Sequence, residues 1–165
     1  MTRSNRLRNH LEDERRRVPG VSLQELARKF NLSEGEVLEL LGSDLARRVK
    51  RDRHEEILRE IRSWGPGILH IHNDWAEGEV NCDLDLLALK DGLLTLRTDS
   101  LRFRIDYARI DTVYCVEVSD RYSVQFFNRR GRCVFQVLPS AAPESKGRFE
   151  RFRESFCPAS TGGAP

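Results

Sequence analysis

The tripeptide Gly65-Pro66-Gly67 separates two hydrophobic periodicities in this chain. Before it, apolar residues recur every three or four positions; after it, they alternate with polar ones. The break suits neither helix nor strand, because proline lacks a backbone donor and glycine frees the backbone for turns. A chain divided in this way starts with helices and continues as an antiparallel sheet. The expected class is therefore α+β, a large split antiparallel meander packed with helices. At 165 residues one structural domain is expected. Its helical part spans 1–64 and its sheet, with a C-terminal helix, spans 65–156. Residues 157–165, which include the low-complexity run PASTGGAP, are expected to be a disordered tail.

Leu7 and Leu11 anchor a charge-dense helix over 6–17, which Val18-Pro19-Gly20 ends. Ser22 with Glu25, and Ser33 with Glu36, each have the spacing of a capping box. Leu23, Leu26, Ala27 and Phe30 form the apolar face of one helix, closed by Asn31. Val37, Leu38, Leu40 and Leu41 form that of the next, closed by Gly42. A further helix over 52–63 carries Ile57, Leu58 and Ile61 up to Trp64. Strands are expected at 68–73, 77–82, 84–90, 93–98, 101–106, 111–118, 121–127 and 132–138, with a last helix over 144–156. The strongest hairpin is RYSVQFF-NRRG-RCVFQVL, where Gly131 suits a left-handed turn position.

Composition narrows the function classes. No stretch approaches the ~20 apolar residues of a membrane span, so no membrane insertion is expected. The charged N-terminus lacks the apolar core of a secretory signal, which points to the cytoplasm. In that reducing compartment Cys82, Cys115, Cys133 and Cys157, irregularly spaced, read as small buried hydrophobes rather than disulfides. The chain has no G-x-S-x-G elbow, no P-loop and no G-x-G-x-x-G after a strand. The helical pair SLQELARKFNLSEGEVLELL resembles a helix-turn-helix, but Glu34, Glu36 and Glu39 on its second helix would be repelled by phosphate. Nucleic acid is therefore not an expected partner.

Three groups of residues could carry chemistry. In ILHIHNDWAEGEV, His70 and His72 share one strand face with Ile68, opposite Leu69 and Ile71. Such a pair could hold zinc with Asp74 or Glu77 as third ligand, could ligate a haem, or could be two partly exposed imidazoles on a pleated strand; spacing alone favours the last. In LRTDSLRFRIDYARI, Arg102 and Arg104 edge one face and Leu101, Phe103 and Ile105 the other. That suits a flat apolar ligand carrying carboxylates, or a solvated face. Tyr107 and Tyr114 add phenols able to ligate iron.

The motifs follow one another in a recognisable order. "S-x-x-E-L-A…N-L-S-E-x-E-V" is followed by "I-x-x-W-G", by a strand ending "H-N-D", by "L-R-F-R-I-D-Y-A-R-I", and by "S-V-Q-F-F-N-R-R-G-R-C-V-F-Q-V". Over residues 5 to 153 this resembles the cytosolic haem-utilisation carriers of the HutX/ChuX type, and one half of the two-repeat HemS/ChuS-type haemin transport or degrading proteins. The resemblance implies a HemS/ChuS/ChuX-like split sheet and the binding of b-type haem for iron acquisition. It further implies a homodimer, and a haem-degrading enzyme as recipient. It places the iron-ligating histidine on His72 and leaves His70 as an accessory. It puts a second histidine near Arg104, where this chain departs, so that Arg102 or Arg104 would meet the propionates, with Tyr107 or Tyr114 as other ligands. A haem-degrading enzyme that takes electrons from an external reductant is the alternative on the same fold; a DNA-binding regulator is the alternative off it.

Overall fold

The computed structural model describes residues 2–73, 75–118 and 120–157. Three helices come first: α1 (Arg3–Arg17), α2 (Leu23–Phe30) and α3 (Glu34–Leu41). Both expected capping boxes form. Ser22 and Ser33 each accept from the backbone N–H three residues on, while Glu25 and Glu36 reach back to the cap N–H. Asn31 ends α2 in the left-handed conformation, at φ 54°. A short strand, β1 (Ala46–Arg48), leads through a 3-10 turn into α4 (His54–Arg62).

Within the glycine–proline break itself, Gly65 turns the chain and Pro66 already opens β2 (Pro66–His72); then come β3 (Glu77–Asp83), β4 (Leu87–Lys90), β5 (Leu93–Arg97), β6 (Arg102–Asp106), β7 (Ile110–Val118), β8 (Arg121–Asn128) and β9 (Cys133–Pro139). The last helix is α5 (Ser145–Phe156). The fold is α+β, with a six-stranded antiparallel sheet in the order β1-β7-β8-β9-β2-β3 and a separate three-stranded sheet, β4-β5-β6.

Three details depart from the sequence reading. The expected strand 84–90 starts only at Leu87, because the Asp83 carboxylate accepts from Asp85 N–H and winds Leu84–Leu86 into a 3-10 turn. β1 was not expected; it pairs with β7 and joins the helical third to the sheet. Cys115 and Cys157 form a disulfide, against the expectation of four free thiols. The separation of 42 residues gives no sign of this pairing; the course of α5 across the sheet brings the two together. Cys82 and Cys133 are free. The expected tail from Pro158 onward lies outside the described residues.

The large sheet has a core on each side. Against one face, Leu69, Val113, Val124, Phe126, Phe135 and Val137 pack with α4, with α5 and with Leu94 and Leu96 of the small sheet. Phe126 and Phe135 stack with centroids 4.1 Å apart. Against the other face, Tyr114, Val116, Phe127 and Cys133 meet Leu11, Leu26, Val37, Leu38 and Leu41 of the three N-terminal helices. Each fully buried Phe or Leu contributes roughly 1.5–3 kcal/mol of apolar burial, so both cores support the sheet.

Candidate functional site

The second face carries most of the chemistry, and it is assembled from three separate elements. β2 alternates as expected: Leu69 is fully buried in the first core, while His70 and His72 point to the helical side. Their ring centroids are 5.3 Å apart. His72 is the last residue of β2, opposite Glu77 of β3. Its Nε2 lies 2.9 Å from Glu34 Oε1, and both side chains are only 12% exposed.

Glu34 reaches this position because α3 is docked by its N-terminus onto the β8–β9 turn. Gly35 N–H donates to Gly131 O at 2.9 Å. A Cβ on Gly131, at φ +68°, would stand 2.4 Å from Ser33 Oγ, so the approach requires glycine. Ser33 is itself the cap of α3, so Glu34 leaves the first helical turn in a fixed direction. Its second carboxylate oxygen accepts from Cys133 N–H at 2.9 Å.

Cys133 owes its orientation to a β-bulge. Phe126 pairs with Phe135, but Phe127 pairs with Cys133, so Val134 is the extra residue on β9. Without the bulge, Cys133 and Phe135 would share a face. With it, Phe135 faces the first core and Cys133 the helical side, beside Phe127. The Glu34 oxygen, His72 nitrogen and Cys133 sulfur then all lie within 4.8 Å of one another.

The electrostatics follow from this packing. The Glu34 carboxylate raises His72 above the ordinary histidine value, against the pull of burial. His70 is lowered, by burial first and by His72 next; Gln136 of β9 bonds its Nδ1. Burial, and then the charge of Glu34, push the Cys133 thiol well above its usual value. Gln136 also accepts from Gln125, which donates to Ser123, so a polar ladder crosses β2, β9 and β8 on this face.

Glu34, His72 and Cys133 stand in the wall of a cavity of about 1100 Å³. Leu32, Ile71 and Val134 supply apolar lining, and Arg28 and Arg130 supply charge. Ligand clefts commonly measure ~300–1,000 Å³, so the space admits a large organic ligand. At the rim stands Trp75, 93% exposed, in a loop turned by Asn73 Oδ1, which accepts from the N–H groups of Trp75 and Ala76. Gln24 of α2 closes the same corner by donating to Asn73 O at 2.7 Å.

The other sequence candidates lie elsewhere. Arg102 and Arg104 are exposed on β6 of the three-stranded sheet and do not line this cavity. The Tyr107 hydroxyl is buried and donates to His54 O at 2.8 Å; burial pushes it far up. Tyr114 donates to Glu39 Oε1, and burial together with that carboxylate pushes it up to about 12. Asp74, weighed as a zinc ligand, is outside the described residues, and Glu77 lies 3.9 Å from His70 with its side chain largely exposed. Glu34 and Cys133 were missed as partners of His72. By residue type Glu34 suits a solvated helix face and Cys133 a core, and no local spacing links either to a strand 38 or 61 positions away.

The helical pair that resembles a helix-turn-helix is docked on the large sheet. Val37, Leu38 and Leu41 of α3 are buried. Glu34 is turned to His72, Glu36 to the cap and Glu39 to Tyr114. The apolar face of α3 is thus packed into the fold, while Glu36 and Glu39 stay exposed.

Comparison with known proteins agrees with this architecture. A family model described as haem utilisation ChuX/HutX matches residues 47–154. No curated protein sequence matches. Among solved structures, a protein from Erwinia carotovora superposes with a TM-score of 0.76 at 22% identity, covering 94% of this chain and 99% of its own. The haem-binding protein ChuX gives 0.74 at 19%, covering 90% and 97%. The haem-degrading enzyme ChuS of Escherichia coli O157:H7 gives 0.81 at 19%, but this chain, 98% covered, spans only 49% of it.

Proposed function

This chain belongs to the ChuX/HutX haem-utilisation family, and from that premise we propose that it binds b-type haem in the cavity beside α3 and carries it through the cytoplasm to a haem-degrading enzyme. The observation that carries the proposal is a single half-buried imidazole, His72, in the wall of a large cavity with apolar sides and arginines at its edge.

The donor set fits the cargo. His72 would supply an axial nitrogen, as a neutral imidazole does in many haem proteins. Arg28 and Arg130 would meet the propionates through bidentate contacts, and Leu32, Ile71 and Val134 would flank the ring. His70 would act from beside the ligand rather than on it, held by Gln136. In the free protein the ligating nitrogen of His72 rests against Glu34. A carboxylate competing for the same nitrogen favours reversible binding, which suits a carrier more than a resident cofactor. A homodimer is the proposed assembly.

Titration of the purified protein with haemin tests this. One equivalent should produce a saturable Soret shift, and the band should persist when a reductant is added. No spectral change at micromolar haemin would refute haem binding. Loss of the band with release of iron would replace the carrier by a degrading enzyme.

A further inference from the structure

Glu34, His72 and Cys133 form a second kind of site within the same wall. We propose that this triad binds a divalent transition-metal ion of the zinc class, independently of haem. The proposal rests on the convergence of one oxygen, one nitrogen and one sulfur donor, all within 4.8 Å of one another.

Each donor comes from a different element and is held by its own device. Glu34 leaves the capped first turn of α3 and is fixed by Cys133 N–H. His72 ends β2. Cys133 is turned to this side by the bulge at Val134, and its thiol at present donates to Phe135 O at 3.4 Å. Bulges beside functional sites commonly re-aim one side chain in this way. The arrangement therefore does not depend on one flexible loop.

The donor set selects the ion. Binding would displace the Cys133 thiol proton to solvent, leaving a thiolate and an imidazole, which suit zinc and its neighbours and do not suit magnesium or calcium, which take oxygen ligands. Tetrahedral zinc takes nitrogen and oxygen at ~2.0–2.2 Å and sulfur at ~2.3 Å, which places the donors roughly 3.3–3.8 Å apart. The Glu34 and His72 donors, 2.9 Å apart, must open slightly and the sulfur, within 4.8 Å, must come to the same spacing, movements within reach of side-chain rotation at Glu34 and Cys133. Three protein ligands leave one position facing the cavity, as in zinc sites that keep an exchangeable ligand. His72 serves both sites, so metal and haem would exclude one another there.

Cobalt(II) titration of the haem-free protein tests the site without reference to haem. One equivalent should give the visible bands of tetrahedral cobalt and a sulfur-to-cobalt charge-transfer band, both lost when zinc is added. Cys133→Ser should abolish the charge-transfer band, and His72→Ala should weaken cobalt binding at least about tenfold. Cys82→Ser should leave both unchanged, which separates the triad from a chance thiol and does not disturb the Cys133 core position. Absence of cobalt uptake by the wild type would overturn the proposal. So would a charge-transfer band that disappears in Cys82→Ser. Neither outcome bears on the haemin titration, so the two readings fail separately.

Discussion

On one face of the six-stranded sheet, Phe126 lies stacked on Phe135, and Leu69, Val124 and Val137 around them are fully buried. On the other face the neighbouring positions of the same strands hold His70, His72, Gln125, Gln136 and Cys133. The strands are shared, so the difference comes from period two: one parity is apolar here, while the other carries polar and ligating groups beside the second core of Tyr114, Val116 and Phe127. The bulge at Val134 is the exception that sharpens this division. It moves Cys133 from the packed parity to the chemical one, where Glu34 meets its N–H.

Substitutions on the two faces should separate accordingly. Phe135→Ala removes a fully buried ring from the first core. Chemical denaturation should show a loss of about 3–5 kcal/mol, while the folded fraction still binds haemin with unchanged affinity. An affinity loss in the folded fraction would mean that the faces are not independent.

Glu34→Gln acts on the other face and should cost less, about 1.5–3 kcal/mol at acidic pH. Here the sign is fixed by His72. Its value is raised in the folded protein above the usual 6.5, chiefly by Glu34, with Glu77 adding to it. The native state therefore holds that proton more tightly than the unfolded chain. The stabilisation is fully present below about pH 6.5 and is lost as pH rises through the folded His72 value. Denaturation of the metal-free wild type and variant across pH should show their difference shrinking on the alkaline side. A difference that grows with pH would contradict the His72–Glu34 pairing.

The two capping boxes give the finest comparison. Ser22→Ala and Ser33→Ala should each lower stability by about 1 kcal/mol. Only Ser33 precedes Glu34 and meets the Gly131 turn. Only its loss should also weaken haemin binding; equal binding in both variants would detach α3 capping from the site.

These contrasts also show what the sequence could reveal. Caps, periodicity and turns are local, so Ser22, Ser33, Asn31 and Gly131 announce their elements, and the alternation in β2 assigns His70 and His72 to one face. The site is not local. Glu34 faces His72 because a helix N-terminus docks on a hairpin turn, and Cys133 joins them because of one extra residue in β9. Neither event leaves a spacing that can be read along the chain. The three carboxylates of α3 counted against DNA binding by their charge; the fold gives each of them a partner inside the protein. Arg102 and Arg104 lie on a strand of alternating pattern, but that strand belongs to the small sheet, and sequence alone does not tell which sheet a strand joins.

The central claim is that the cavity beside α3, rather than the arginine edge of the small sheet, receives haem. Haemin titration of His72→Ala beside the double variant Arg102→Ala/Arg104→Ala tests it directly. The account predicts that His72→Ala alters the Soret band and weakens binding by about tenfold or more, some 1.4 kcal/mol, while the arginine variant binds as the wild type does. Unchanged binding in His72→Ala together with a loss in the arginine variant would contradict it.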